Sequence, residues 1–428
     1  MKKILPILAV AVALIASACD PEPKTLDITV KLMYENQAWA ESGINVNLAS
    51  ATASFDALTD AAGTASFTVP SGIYTATASF KKAKDGNMLN YNGTNGAVSV
   101  AKDGATSFDL NLVTSVSSQI VIKELYHGGC LQNDGVKTYA SDKYVILYNN
   151  SEVEADASNI CFGFAYPANG HATNKWIDAS GKLMYTDSIP CGWAYWGFTS
   201  EVKIPPYSQI VVSIYGAIDH SATHNNSVNL GKGEYYVMYD PESGFNSASY
   251  YPAPAAAISS SHYLKAYKYA QGNAWALSVN SPSFFIFKMS PSEAEAFNAS
   301  QPLDFTNFGK LIPASCIVDY VEVFYYPSLD KSVSRALPSL DAGHVNTTSG
   351  LGHTVYRNVD KEATEALPEN AGKLVYNYAG GTADEAGGTT DPSGIDAEAS
   401  IAAGAHIIYM DTNNSTKDFH QRNKASIK

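Results

Sequence analysis

The chain has 428 residues, of which only 16% are charged, and its 28 basic and 41 acidic residues leave a formal net charge of −13. No basic cluster occurs, and guanidinium groups stand only at Arg335, Arg357 and Arg422. Counterion-release binding to nucleic acid and charge-driven adsorption to an anionic lipid surface are therefore both excluded as main functions. Plentiful Tyr, Ser, Thr, Asn and Gly instead suit an exported β-protein, with aromatic and β-branched residues in strands and small polar ones in turns.

Residues 1–18 read as an export signal. Lys2 and Lys3 precede a short apolar stretch from Ile4 to Ile15, and small residues follow at Ala16, Ser17 and Ala18. The apolar run is too short to span a bilayer, so a cleaved signal is the better reading. Cys19 comes directly after the small residues, and the whole resembles the lipobox of bacterial lipoproteins. That resemblance implies lipidation at Cys19 and stable attachment through several acyl chains. Residues 19–24 then form a stiff spacer whose acidic residues resemble the surface-export signals of Bacteroidetes lipoproteins. The expected location is the outer membrane, exposed on the cell surface, with the periplasmic face as the alternative.

Residues 25–113 alternate cleanly. Leu26, Ile28, Val30 and Leu32 interleave with polar residues, and the pattern returns at Ile44–Leu48, Ala65–Val69, Tyr74–Phe80 and Phe108–Leu112. Period-two runs broken by turns predict about seven half-buried strands in a small sandwich. Thr59-Asp60-Ala61-Ala62-Gly63 and Val69-Pro70-Ser71-Gly72-Ile73-Tyr74 together resemble the turn signature of carboxypeptidase-regulatory-like, transthyretin-like domains. That resemblance implies a non-catalytic accessory domain.

A polar break at 114–118 reads as a linker, and 119–428 as a second, larger β region. Strands are predicted from Ile120, at Lys143–Asn150, Ile210–Tyr215, Tyr235–Tyr239, Ser283–Lys288 and Val318–Phe324. Ser290-Pro291-Ser292-Glu293 predicts a helix start and Asp360–Leu367 a second short helix. Residues 379–400, rich in Gly, Ala, Asp and Thr, read as a long loop. "IVIKEL" and "DKYVILYNNSE" resemble the opening strands of lamin-tail-like, immunoglobulin-like sandwiches, although Ile146 stands where that family usually has glutamate. Stretches at 120–130, 217–239, 312–324 and 411–419 also resemble a Bacteroidetes lipoprotein family of unknown function. The fold class expected overall is all-β: a seven-stranded sandwich followed by a larger immunoglobulin-like, lamin-tail-like sandwich with few short helices.

Signs of catalysis are scarce. No GxSxG elbow, HExxH, Walker loop or dinucleotide fingerprint occurs. His220 and His224 lie four apart but in loop-like surroundings, which favours a turn network over a zinc pair. Residues 411–418 lack the glycine and the final glutamate of a calcium loop, so turn capping is expected there. Cys130, Cys161, Cys191 and Cys316 are open to one or two disulfides of undetermined pairing or to buried free thiols. Trp193, Tyr195, Trp196 and Phe198 are the candidate ligand contacts, set against a role in core packing. Asp187-Ser188-Ile189 resembles a Bacteroidetes O-glycosylation motif, making Ser188 a candidate. No cofactor or metal is expected. The reading is a non-catalytic, lipid-anchored interaction module. The alternatives are a glycan-binding accessory lipoprotein beside a TonB-dependent receptor, and a hydrolase with an unrecognised site.

Overall fold

The computed structural model describes residues 25–50, 53–84, 87–179, 183–300 and 309–428. The expected signal, the spacer and Cys19 lie outside these described residues. Two compact units divide the chain, the first made of Met1–Lys82 and Leu89–Thr114 and the second of Ala83–Met88 and Ser115–Lys428. Both are β-structures.

In the first unit the strands are β1 (Thr25–Tyr34), β2 (Gln37–Ala38), β3 (Asn45–Ala49), β4 (Ser54–Leu58), β5 (Thr64–Pro70), β6 (Gly72–Lys84), β7 (Asn87–Val100) and β8 (Ser107–Ser117). They form one sheet in the order β2-β1-β8-β7-β6-β3-β4, with β5 also paired to β1. Strand β1 runs parallel to β8 and antiparallel to β5. The alternation decides which face is buried. Ile28, Val30 and Leu32 of β1 meet Val46 and Leu48 of β3, and Ala65, Phe67 and Val69 of β5, in one core. Burying each large aliphatic residue contributes roughly 1.5–3 kcal/mol. The strand beyond the expected seven is the two-residue β2.

Gly63 shows why its turn has that sequence. Its φ is +75°, and a Cβ there would sit 1.8 Å from the Trp39 carbonyl oxygen. Asp60 Oδ1 closes the turn by accepting from the backbone N–H groups of Ala62 (2.8 Å) and Thr64 (3.0 Å). The expected linker at 114–118 needs correction. Strand β8 continues through Ser117, and only Ser118 and Gln119 separate it from the next strand.

The second unit contains β9 (Ile120–Tyr126), β10 (Cys130–Leu131), β11 (Thr138–Tyr139), β12 (Tyr144–Asn149), β13 (Ala155–Asp156), β14 (Ile160–Phe164), β15 (Ser188–Gly192), β16 (Ala194–Gly197) and β17 (Lys203–Ile204). Next come β18 (Gln209–Ser213), β19 (Tyr236–Val237), β20 (Lys265–Lys268), β21 (Ser283–Lys288), β22 (Gly309–Pro313), β23 (Ile317–Tyr325), β24 (Val345–Thr347), β25 (Thr354–Arg357) and β26 (Phe419–Arg422). Two six-stranded sheets dominate, ordered β19-β18-β12-β9-β25-β26 and β20-β16-β14-β21-β23-β24. One core joins them. Ile120, Ile122, Leu125, Val145 and Leu147 of the first sheet meet Phe162, Trp196, Phe284, Ile286 and Val321 of the second.

The far faces are covered as well. Val121, Tyr148 and Tyr356 pack beneath Val359, Ile395, Ile407 and Tyr409. Cys161, Tyr195, Phe285 and Phe287 pack against Ile189 and Ile312 of the β15–β22 pair. Both faces of each sheet are thus buried, and β9, β12 and β14 are buried at every position.

Helices are few and short: α1 (Pro291–Ser300), α2 (Lys361–Glu365), α3 (Ala397–Ala402) and α4 (Ser415–Asp418). A capping box opens α1, with Ser290 N–H donating to Glu293 Oε2 (2.8 Å) and Glu293 N–H to Ser290 Oγ (3.3 Å). Asp360 caps α2. The long loop expected at 379–400 is shorter and firmly held. Helix α3 begins at Ala397, bridges tie Tyr376 to Ile395 and Gly381 to Arg422, and Asp391 Oδ2 accepts from Val359 N–H at 2.9 Å. Thr382, Asp391 and Ser393 are buried while Asp384 and Glu385 face water, a division that composition alone does not reveal.

Candidate functional site

The aromatic cluster at 193–198 is core, so these candidate ligand contacts need correction. Tyr195 and Trp196 are fully buried and Phe198 is 2% exposed. Strand alternation sends Trp196 into the inter-sheet core, stacked on Phe245 at 5.7 Å. It sends Tyr195 to the opposite face, stacked on Tyr267 at 4.9 Å. Trp193 is half-buried at a φ of +66° and meets Phe164 edge-on at 5.5 Å. Because the sheet is covered on both sides, either parity is buried. No flat row of rings for a sugar is formed by these four residues.

Ser188 likewise lies inside, in β15 paired with Pro313 of β22, so its hydroxyl is not presented to a glycosylating enzyme on the folded chain. Cys130, Cys161, Cys191 and Cys316 are all free thiols, the first three buried, so no disulfide joins them. Burial pushes the thiols of Cys130 and Cys191 up to about 12.

His220 is buried and belongs to a turn network. Its Nδ1 pairs with Tyr139 Oη at 2.7 Å, while His224 stacks on the same Tyr139 ring at 3.7 Å. In 411–418, Asn414 caps α4, and Asp418 accepts from Thr412 N–H (2.8 Å) and Asn414 N–H (3.1 Å). Turn capping accounts for both segments.

What the sequence did not reveal is how many charged groups are buried in pairs. Arg335 donates to Pro167 O (2.8 Å) and Ser281 O (2.9 Å) and forms an ion pair with Glu322. Arg357 of β25 pairs with Asp319, which shares β23 with Glu322. Burial opposes the charge of the Arg357 guanidinium, but Asp319, Asp411 and Asp418 outweigh it and raise its pKa. Lys143 donates to Leu277 O and lies 5.2 Å from the Tyr215 ring centroid, and burial pulls its ammonium down to about 7 against the attraction of Asp142.

Lys123 and Glu124 owe their positions to a β-bulge. Ile146 of β12 faces Glu124 and Leu147 faces Ile122, which leaves Lys123 as the extra residue. A bulge turns consecutive side chains to one side. Ile122 and Leu125 stay in the inter-sheet core, while Lys123 and Glu124 both reach partners elsewhere. Lys123 Nζ meets Glu398 Oε1 at 2.7 Å and Gln209 Oε1 at 2.6 Å, ringed by Tyr148, Tyr356 and Tyr409 at 5.8, 5.6 and 5.7 Å. Glu124 accepts from Tyr144 Oη (2.6 Å) and Ser426 N–H (3.0 Å).

An open cavity of about 310 Å³ lies beside β23 and β24. Ile177, Leu183, Phe324, Val333, Ala336 and Pro338 give it apolar walls. Two titratable residues border it. Asp341 is committed to the fold, accepting from the N–H groups of Ser415 (2.7 Å), Gly343 (3.0 Å) and Glu322 (3.0 Å) and from the Ser415 hydroxyl. The His344 ring stacks on Phe324 at 4.2 Å, and burial pulls its pKa below the ordinary value against the charge of Glu322. Burial raises the Asp341 carboxyl to about 7 against the hydrogen bonds of Ser415 and Gly343. Such a groove can hold an apolar surface. Among the described residues no group of three or more His, Cys, Asp and Glu side chains is placed to hold a metal ion. No helix among them is long and apolar enough to cross a membrane.

Comparison with known proteins adds a family likeness. Residues 205–378 match the sequence profile described as Protein of unknown function (DUF4876). That segment carries Arg335, Arg357 and the β23–β24 side of the groove. A solved structure of a DUF4876 family protein from Bacteroides thetaiotaomicron VPI-5482 is similar at 18% identity, with 92% of this chain and 94% of that chain covered and a TM-score of 0.49. No curated protein matches the chain.

Proposed function

We propose that this chain is a non-catalytic, lipid-anchored protein of the cell envelope that binds an uncharged, mainly apolar small molecule in the groove beside β23 and β24. The observation that carries the reading is the groove's lining. Its volume of about 310 Å³ falls at the small end of the range for ligand sites, and its walls are apolar. The bordering Asp341 carboxylate is already occupied by four donors, so the groove has no free carboxylate for hydrolysis. Attachment through Cys19 places the module at the outer membrane, and outward display makes a TonB-dependent receptor a suitable partner for handing ligand on. Capture of glycans by the 193–198 rings has lost its platform, since three of them are buried.

Thermal-shift and native mass measurements on the mature chain, with apolar metabolites and oligosaccharides as parallel panels, test this. Val333 is 45% exposed, so Val333→Asp alters the groove without touching the core. A ligand from the apolar panel that stabilises the wild type and not Val333→Asp supports the reading. Binding confined to oligosaccharides, or indifferent to Val333→Asp, overturns it.

A further inference from the structure

We propose that Lys123 and Gln209 become joined by an intramolecular isopeptide bond, formed with the help of Glu398. The Lys123 side chain is wholly buried, and its Nζ touches two groups that this condensation requires. One is the Gln209 carboxamide, with Oε1 at 2.6 Å, which puts the amide carbon within about 4 Å of the amine given an ordinary C=O length. The other is the Glu398 carboxylate, with Oε1 at 2.7 Å. Three tyrosine rings, Tyr148, Tyr356 and Tyr409, surround the amine and shield it from water.

Held contact of this kind turns a very slow bimolecular reaction into a local one. Glu398 takes a proton from the Lys123 ammonium, and the freed lone pair adds to the Gln209 amide carbon. The added lysine nitrogen passes one of its two remaining protons to the amide nitrogen, the bond from the carbon to that nitrogen breaks, and the ammonia released takes up the proton held by Glu398 and leaves as ammonium. A primary amide and an amine become a secondary amide and ammonia, with no oxidant or reductant. Gln209 lies on the exposed rim of the sheet, which gives ammonia a way out.

Burial raises the pKa of Glu398, but the charge and hydrogen bond of Lys123 and the Tyr356 hydroxyl at 2.6 Å bring it below the usual value, so the carboxylate is ionised where it meets the amine. The bond would span β12, the strand between β9 and β18 in the sheet, and so fasten the first strand of the second unit to a strand two places away. Such a staple suits a protein held at a cell surface by its N-terminal end.

Peptide mapping of the full mature chain by mass spectrometry tests this. In the wild type, Lys123 and Gln209 are expected in a single linked species lacking one ammonia, with no tryptic cut after Lys123. Glu398→Gln is expected to give the two peptides unlinked. Lys123→Arg keeps a cation in the tyrosine cage while removing the nucleophile, so a folded Lys123→Arg protein without the link separates chemistry from stability. Separate wild-type peptides with the ammonia retained overturn the proposal. A link that persists undiminished in Glu398→Gln overturns the part given to Glu398.

Discussion

Asp319 and Arg357 hold one peptide residue between them. Asp319 Oδ2 accepts from the Ile122 N–H at 2.6 Å, and Arg357 Nε donates to the Ile122 carbonyl at 2.7 Å, while the two side chains pair with each other. Ile122 adjoins the bulge in β9, where the ladder is interrupted, so side chains from β23 and β25 supply the bonds that a neighbouring strand normally would. This clamp ties one large sheet to the other.

Arg357→Leu should therefore destabilise the second unit by about 3–5 kcal/mol, because it strands a buried carboxylate. The double variant Asp319→Leu with Arg357→Leu should recover only part of this. It removes both charges but leaves the Ile122 N–H and C=O without their partners, a loss on the order of 1–3 kcal/mol per buried group. Urea denaturation of the single and double variants measures both. Full recovery would mean that the charges pair without supporting the bulge.

His420 should make the protein acid-sensitive. Its Nδ1 faces Asn358 Oδ1 at 2.7 Å and its Nε2 faces Tyr378 Oη at 2.7 Å, an arrangement that suits a neutral ring donating from Nδ1. Burial, with the nearby Arg422, lowers its pKa to about 3 from 6.5. A depressed pKa contributes stability that is complete above 6.5 and is lost as the pH falls toward 3. At pH 4 that loss is roughly 3 kcal/mol. Chemical denaturation at pH 7 and pH 4 should show a smaller drop for His420→Gln than for the wild type.

Trp196 and Trp275 should respond differently to replacement by phenylalanine. Both are fully buried. The Trp196 Nε1 has no hydrogen-bond partner among the described residues, whereas Trp275 Nε1 donates to Ala194 O at 2.9 Å and Gly192 O at 3.2 Å. Trp275→Phe should cost about 1–2 kcal/mol more than Trp196→Phe, since only the former removes buried hydrogen bonds. Equal losses in a denaturation series would show that cavity formation alone governs both.

Native alkylation should single out Cys316. It is the one thiol of the four that is not buried, while Cys130, Cys161 and Cys191 are closed off and their thiols are pushed up by burial. Brief iodoacetamide treatment followed by peptide mass analysis should label Cys316 alone, and labelling of all four should need denaturant. Protection that persists in denaturant without reductant would reveal a disulfide and refute the free-thiol arrangement.

Gly63→Ala should weaken the first unit by more than about 1 kcal/mol, since alanine at a φ of +75° is strained and its Cβ collides with the Trp39 carbonyl. Thermal unfolding followed through Trp39 fluorescence should show the shift.

Legibility in the sequence followed the surroundings of each strand. Alternation was clear in β1, β3 and β5 because one face meets water, so polar residues mark every second position. In the second unit that mark fades. Ile-Cys-Phe-Gly-Phe of β14 and Ala-Tyr-Trp-Gly of β16 are buried on both faces, so period two gives no signal and the rings of 193–198 could be read as surface. Strands β21 and β23 stood out only because β-branched and aromatic residues are concentrated there. The Lys123 cage left no trace, as the lysine, its carboxylate and its carboxamide come from distant parts of the chain.

The sequence by itself determined what depends on neighbours within a few residues. The strands of the first unit, the Gly63 turn, the capping box of α1 and the Asp360 cap of α2 all arise from local stereochemistry and short hydrogen bonds. Only the tertiary structure decided which side of each ring and charge was covered. Whether Trp196 is a ligand platform or core depends on a second sheet and its outer layers, and whether Arg357 is a surface charge or a clamp depends on a bulge opposite it. Burial is a property of what packs against a residue, and those partners are assembled from the whole chain.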